Sequence, residues 1–229
     1  MDLKNYTYLI ILIASLAAPL ALSFDKKVQY FKNLKYILPA ILITAIFFWI
    51  WDVRFTASGV WSFNPQYIIG AKIYDMPIEE WLFFIVIPYC CVFIYEVLKA
   101  YLENHDYPVF FKRFSLFLVG LFAAVSYFFN NLDYTLVTFL FSAVYLAYTV
   151  FRNKFNPYYT WFYFAYFVSL IPFLVVNGLL TSLPIVEYNS SHILNIRIMD
   201  IPVEDFSYLF LMLLMVITIY ESLKESKFY

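Results

Sequence analysis

Hydrophobic positions run in seven long blocks along the chain, and polar or aromatic connections separate each block from the next. The blocks fall at 5–23, 34–52, 77–98, 111–130, 132–151, 157–180 and 202–222. Each approaches the roughly 20 apolar residues that an α-helix needs to cross a bilayer. The pattern therefore predicts an all-α, polytopic membrane protein with seven transmembrane helices.

The second half of the chain repeats the first at a fixed separation of 125 residues. Between Asp52 and Lys99, 12 of 48 ungapped pairs are identical, where chance gives about three. The best-kept feature is Asp75-Met76-Pro77-Ile78-Glu79-Glu80, which returns as Asp200-Ile201-Pro202-Val203-Glu204-Asp205. The chain therefore contains an internal duplication, in which predicted helices 1–3 match predicted helices 5–7.

Predicted helix 4 sets the relative direction of the two repeats. Three spans followed directly by three more would give inverted repeats, and one additional span restores the direction. We expect a first repeat at 1–103 and a second at 132–229, joined by a linker helix at 104–131. The repeats would run parallel around a pseudo-twofold axis along the membrane normal. Both motifs would then lie at one membrane face and one depth.

Cations are unevenly distributed between the two predicted membrane faces. The N-terminus and loops 2–3, 4–5 and 6–7 hold four, namely Lys4, Arg54, Lys72 and Arg197. The opposite face holds eleven, namely Lys26, Lys27, Lys32, Lys35, Lys99, Lys112, Arg113, Arg152, Lys154, Lys224 and Lys227. The positive-inside rule places the second face in the cytoplasm. We therefore expect the N-terminus outside, the C-terminus inside and both motifs near the outer leaflet.

Composition narrows the class of protein further. Only 14% of the residues are charged and 64% are hydrophobic, whereas a soluble domain carries about 25% charged residues. No charged block favours nucleic acid as a partner. The four glycines form no G-x-G-x-x-G sequence, so no nucleotide cofactor is expected. Cys90 and Cys91 are adjacent in an apolar run and indicate small apolar helix residues, with no metal site.

The repeated motif places two acids in the first turn of each third helix of a repeat. Such acids are an ordinary helix start, where they satisfy free backbone N–H groups. Two copies at one depth would instead bring four carboxyl groups towards one axis beside hydrocarbon, where they share protons and act as acid and base. The four candidate catalytic acids are Glu79, Glu80, Glu204 and Asp205. We hypothesise that they form a centre able to protonate an alkene, with aromatic faces stabilising the resulting cation.

Other polar positions correspond between the repeats. The supporting candidates pair as Asp52 with Asn177, Asn64 with Asn189, and Pro77 with Pro202. Asp52 and Asn177 stand at the predicted outer ends of helices 2 and 6. Each polar residue either orients an acid by hydrogen bonding or caps a helix or turn. At the other helix ends, Glu96 with Lys99 and Glu221 with Lys224 have the i,i+3 spacing of structural ion pairs.

The two long outer connections, 53–76 and 181–201, are rich in apolar and aromatic residues. Such segments either fold back over the helices as a lid on the carboxyl groups or lie in the membrane interface as an aromatic belt. The sequence leaves both interpretations open.

The residues around the first motif resemble the membrane-embedded lycopene cyclase domain. The resemblance rests on Trp51-Asp52, Gly59-Val60-Trp61-Ser62-Phe63-Asn64, Tyr67, Gly70 and Pro77-Ile78-Glu79-Glu80-Trp81-Leu82-Phe83-Phe84. This domain is the non-flavoprotein type of heterodimeric bacterial cyclases and of fused archaeal and fungal ones. Here both three-helix repeats stand in one chain. The second repeat departs from the pattern, with Asn177 in place of an Asp and Asp205 in place of a Glu.

The resemblance implies redox-neutral cyclisation of the acyclic ends of lycopene to β-rings, which is an intramolecular lyase or isomerase activity without a cofactor. It implies that the Pro-x-Glu-acid residues are essential. The expected partners are lycopene or a related acyclic carotenoid, the lipid bilayer of a bacterial cytoplasmic membrane, and other carotenoid enzymes. Two alternatives stay open: a carotenoid hydratase that captures the cation with water, and a non-catalytic carotenoid- or lipid-binding membrane protein or small transporter. The sequence does not define whether the rings are β, ε or γ, whether one or both ends react, or the oligomeric state.

Overall fold

A computed structural model of the protein describes residues 3–102 and 106–226. Its helices are α1 (Thr7–Leu22), α2 (Tyr30–Ala57), α3 (Ile78–Tyr101), α4 (Pro108–Phe128), α5 (Asp133–Arg152), α6 (Tyr159–Ser182) and α7 (Val203–Glu225). All seven are long and apolar enough to cross a membrane, which confirms the predicted all-α polytopic class. The expected boundary between 103 and 104, like Lys227, lies outside the described residues, and the three domain ranges stay predictions.

Two helices extend beyond their predicted outer ends. α2 continues to Ala57 and α6 to Ser182, so that Asp52 and Asn177 each lie five residues before the last helical residue. The prediction that these two residues stand at helix ends is therefore wrong. Neither acts as a cap, because both side chains are buried and bond to residues of other helices.

The helices pack crosswise between the two repeats. α3 and α7 touch at the centre, α1 packs on α3 as α5 packs on α7, and α2 packs on α7 as α6 packs on α3. Each repeat therefore supplies its second helix to the third helix of the other. This exchange is the arrangement expected of two parallel repeats around an axis between α3 and α7. The linker helix α4 packs outside, on α5 and α6.

A short β-hairpin, with two residues in each strand, precedes the third helix of each repeat. β2 (Lys72–Ile73) pairs with β3 (Met76–Pro77), and β5 (Arg197–Ile198) pairs with β6 (Ile201–Pro202). Asp75 and Asp200 are turn residues with φ of 62° and 66°, each after another residue of positive φ, as a type I′ turn requires. Pro77 and Pro202 are N-cap residues, so each helix begins one residue after its proline.

The two outer connections meet above the helices in a short antiparallel sheet. β1 (Trp61–Phe63) pairs with β4 (Val186–Tyr188), and Ser62 lies opposite Glu187, its own equivalent in the repeat. A twofold axis through a strand pair produces this register, so the sheet and the α3–α7 contact share one axis. We call β1 and β4 the roof. Trp61 and Phe63 are buried, whereas Ser62 and Glu187 of the same strand pair are exposed, so the roof covers the bundle with one face towards the helices and one face outwards.

Ion pairs at the opposite end of the bundle join the two repeats. Lys99 Nζ lies 2.6 Å from Glu221 Oε1, and Lys224 Nζ lies 3.7 Å from Glu96 Oε2. The expected pairs within each helix are therefore wrong. α3 and α7 lie side by side, so each lysine reaches the acid of the neighbouring helix.

Candidate active site

A cavity lies under the roof, on the axis between the repeats. Most of its lining consists of equivalent positions from both halves. The lining residues are Tyr8, Asp52, Trp61, Phe63, Glu80, Phe83, Ile87, Tyr134, Phe173, Asn177, Leu180, Val186, Tyr188, Asp205, Tyr208, Leu209 and Met212. The cavity is thus an apolar, largely aromatic chamber in which a few polar groups converge, as expected of a small-molecule site.

The second acid of each motif reaches this cavity. Glu80 Oε2 accepts a hydrogen bond of 2.5 Å from the Tyr8 hydroxyl. In the other repeat, Asp205 Oδ1 accepts one of 2.7 Å from the Tyr134 hydroxyl. Both acids are buried. The first helix of each repeat therefore holds the acid that begins its third helix.

Asp205 has further donors at its other oxygen. Oδ2 accepts hydrogen bonds from Asn177 Nδ2 at 2.6 Å and from the Tyr188 hydroxyl at 2.8 Å. Burial and the nearby Asp205 carboxylate raise the pKa of Tyr188 well above its ordinary value, so this hydroxyl keeps its proton. Three neutral donors around one carboxyl group match a carboxylate, which only accepts hydrogen bonds.

The equivalent place in the first repeat holds a second acid. Asp52 stands where the other repeat has Asn177, beside Glu80 as Asn177 is beside Asp205. Asp52 Oδ1 accepts a hydrogen bond of 2.9 Å from the Tyr208 hydroxyl of α7. An amide always offers an N–H, whereas a carboxyl group donates only when it carries a proton. The two halves of the cavity therefore differ in their capacity to hold a mobile proton.

The first acid of each motif faces its own connection. Glu79 Oε1 accepts the Ile69 N–H at 2.7 Å, and Glu204 Oε1 accepts the equivalent Leu194 N–H at the same distance. Glu204 also accepts a bond of 2.6 Å from the Thr135 hydroxyl. Neither glutamate is among the cavity-lining residues. The structure thus brings together two of the four candidate acids, and the other two fasten the connections to the helices.

The remaining candidates lie outside the cavity. Asn64 Oδ1 accepts the N–H of Gln66, and Asn189 Oδ1 accepts the N–H of Ser191, at 3.0 and 3.1 Å. Both asparagines therefore form turns in the connections. Pro77 and Pro202 do not line the cavity either, and act as the helix starts described above.

Four tyrosines of the site were absent from the sequence prediction. Tyr8 and Tyr134 are 126 residues apart, so an ungapped comparison at 125 does not align them. Their equivalence is visible in the backbone, because the Tyr8 N–H donates to the Tyr67 carbonyl as the Tyr134 N–H donates to the His192 carbonyl. The other two, Tyr188 and Tyr208, replace phenylalanines of the first repeat. Added hydroxyl groups at repeat positions were the signal that could have revealed them.

Aromatic faces surround the carboxyl groups. Tyr134 and Tyr188 stack at 6.0 Å between ring centroids, and Trp61 meets Tyr134 edge to face at 5.1 Å. Such faces attract a cation within about 6 Å. Among residues 3–102 and 106–226, no group of three or more His, Cys, Asp or Glu side chains is placed to hold a metal ion. The arrangement can supply a proton, an anion and an aromatic wall to one apolar ligand.

Fold and site together define a polytopic membrane protein with a carboxyl-containing cavity built at the interface of two repeats. The sequence model described as lycopene cyclase matches residues 5–98 and 131–223. These two stretches make up most of the chain and coincide with the two repeats. The chain belongs to the lycopene cyclase family.

The curated relatives are fungal proteins named bifunctional lycopene cyclase/phytoene synthase. That of Aspergillus niger is 34% identical over 61 residues, which are 24% of this chain and 10% of the relative. That of Podospora anserina is 37% identical over 49 residues, 21% of this chain and 8% of the relative. The chain therefore spans about a tenth of the curated relatives that it matches. No solved structure matches the chain significantly.

Proposed function

We propose that the protein catalyses redox-neutral ring closure at the acyclic ends of lycopene or a related carotenoid, giving β-rings. The observation that carries the proposal is the asymmetric set of acids in one aromatic cavity, with Glu80 and Asp52 on one side and Asp205 on the other. Membership of the lycopene cyclase family supports the substrate class. The names of the fungal relatives support it as well.

The first step is transfer of a proton from the Glu80–Asp52 pair to the terminal double bond. Two neighbouring carboxyl groups in an apolar site hold one proton between them. The same proton is absent from the Asn177–Asp205 side, where an amide N–H takes its place. Glu80 therefore acts as the general acid, with Asp52 as the group that shares and returns its proton.

The second step closes the ring and the third removes a proton. The next double bond attacks the tertiary cation, forms the new carbon–carbon bond and moves the charge within the ring. The carboxylate of Asp205 and the faces of Trp61 and Tyr134 stabilise this charge. Asp205 then takes the proton from the ring carbon, which forms the ring double bond. The proton returns across the cavity to Glu80, so the reaction consumes none.

The test compares Glu80→Gln and Asp205→Asn with Glu79→Gln in lycopene-producing cells. We expect the first two substitutions to lower cyclic product by roughly 100-fold or more, the range of a general acid or base. Extracted pigment is identified by absorption and mass, since cyclisation leaves the mass unchanged whereas hydration adds water. Full conversion by either cavity variant, or an unaltered lycopene pool with the unsubstituted protein, would contradict the proposal.

A further inference from the structure

A second, almost wholly apolar cavity adjoins the first one and runs between α1, α3 and α6. Its volume is about 250 Å³. Phe83, Ile87 and Asn177 line both cavities, so the two cavities lie side by side. From Phe83 to Ile94, the second cavity follows α3 for about 16 Å at 1.5 Å per residue. We call this second cavity the channel.

Small side chains keep the channel open. Ser15 of α1, Cys90 of α3 and Val176 of α6 line it. Their polar atoms are satisfied locally, since the Ser15 hydroxyl donates to the Ile11 carbonyl and the Cys90 thiol to the Ser15 carbonyl. None of the residues that line it is charged. The wall therefore suits a long hydrocarbon and offers no partner to a charged headgroup.

The equivalent position on the other side of the axis holds a separate groove of about 310 Å³, which shares no lining residue with the first cavity. With the 126-residue offset of the first helices, Ser15 corresponds to Phe141, and with the 125-residue offset Val176 corresponds to Trp51. Phe141 lies 5.5 Å from Trp51 and 5.4 Å from Phe47, between ring centroids. The repeats thus share one backbone arrangement, but bulky aromatic rings line the groove on this side, whereas the channel shares lining residues with the first cavity.

We infer that the channel between α1, α3 and α6 takes the polyene chain of the carotenoid from the bilayer, while the end group lies beside Glu80. The inference rests on the proposed function and names where its substrate lies. A phospholipid acyl chain fits the channel poorly as a resident, because its charged headgroup has no partner there. One channel beside the first cavity has a consequence for the reaction: the two ends of a carotenoid enter in separate binding events, and a product with one ring is released between them.

The experiment measures lycopene bound to protein that does not convert it. Glu80→Gln serves as the background, and the channel is filled with Val176→Phe, with Ser15→Val as a smaller change. The matched controls are Ile171→Phe and Ile13→Val on the same helices, where the side chains are 68% and 59% exposed. Each protein is purified in detergent from lycopene-producing cells. Bound lycopene per protein is measured by absorption, bound lipid by mass spectrometry, and folding by gel filtration.

We expect Val176→Phe to lower bound lycopene by about tenfold or more, since the phenyl ring would occupy the space that the polyene needs and could make room only through strained side chains. Ser15→Val should give a smaller loss, and both controls should keep the background amount. Equal amounts of bound lycopene in the filled variants and in their controls would overturn the assignment of the channel to the polyene. A background protein that binds phospholipid and no lycopene would overturn it as well. If lycopene binding follows the expected pattern while the unsubstituted protein leaves lycopene unaltered in cells, the result supports the channel and contradicts the proposed cyclase activity.

Discussion

At the scale of single residues, the proposed mechanism rests on the difference between Asp52 and Asn177. The two side chains are nearly equal in size and occupy equivalent positions. Asn177 gives Asp205 a permanent donor, whereas Asp52 can give Glu80 a donor only while it holds a proton. In the proposed mechanism, this pair of positions therefore separates a half that holds the reacting proton at rest from a half that rests as a carboxylate and later accepts a proton.

Asp52→Asn should lower the rate of cyclisation by about 100-fold. The amide oxygen can still accept the hydrogen bond from the Tyr208 hydroxyl, but an amide cannot share a proton with Glu80. The measurement is the initial rate with purified protein and lycopene in detergent. Asn177→Asp is the matched control at the equivalent position. It should also lower the rate, since a second acid beside Asp205 replaces a donor. A rate unchanged by Asp52→Asn would contradict the proton-sharing role.

Glu79 should behave differently from its neighbour Glu80. Glu79→Gln should keep the rate within about tenfold, because an amide oxygen still accepts the Ile69 N–H. Glu79→Ala leaves that N–H without its partner and should lower the free energy of unfolding by about 1–3 kcal/mol. Pigment conversion and thermal unfolding in detergent check the two effects. If Glu79→Gln abolished conversion while leaving the unfolding temperature unchanged, Glu79 would act in the chemistry.

The motif could be found from the sequence, but the division of its acids could not. Repetition marks Glu79 and Glu80 equally, because both acids recur in the second copy. Neighbouring side chains on a helix point about 100° apart, so only one of them faces the axis. Which one does depends on where α1 and the connection lie, and no local pattern encodes that placement.

At the scale of elements, the roof covers the cavity and, in the proposed mechanism, shields the carbocation. β1 and β4 are only three residues each and come from distant parts of the chain. The aromatic content of the two connections indicated a lid or a belt. The pairing of β1 with β4 depends on the twofold relation between the repeats, and the sequence of either strand alone does not reveal that relation. The roof places Trp61 and Tyr188 against the cavity, and in the proposed mechanism it keeps water from the carbocation.

Glu187→Pro should open the roof, because proline removes the N–H that the strand pair uses. Glu187 is exposed, and Glu187→Ala is the control that retains this N–H. We expect unfolding free energy to fall by about 1–3 kcal/mol. We also expect part of the product to gain the mass of water. An unchanged unfolding temperature with only cyclic product would show that the strand pair does not seal the site.

At the scale of the whole molecule, the cavity needs both repeats. Glu80 and Asp52 come from one, and Asp205 and Tyr208 from the other. The parallel arrangement was predictable, because one additional span between two copies restores their direction. The difference between the two sides was not predictable, since the correspondence of Ser15 with Phe141 becomes visible only when α1 and α5 are aligned with the 126-residue offset that the fold reveals.

Cutting the chain between 103 and 104 should leave a functional pair of fragments. The crosswise helix contacts and the roof hold the repeats together without the connection between them. We expect fragments 1–103 and 104–229, expressed together in lycopene-producing cells, to form cyclic pigment, and either fragment alone to form none. Cyclic pigment from one fragment would show that a single repeat suffices.

The linker helix α4 contributes no residue to the cavity, yet it changes what evolution can do with the site. In an enzyme made of two identical three-helix subunits, a mutation that turns one acid into an amide strikes both halves at once. A fused gene gives every position of the duplicated site its own codon. One half is then free to become a resting carboxylate with permanent donors while the other keeps a pair of acids, and large side chains can arise on one side of the axis alone.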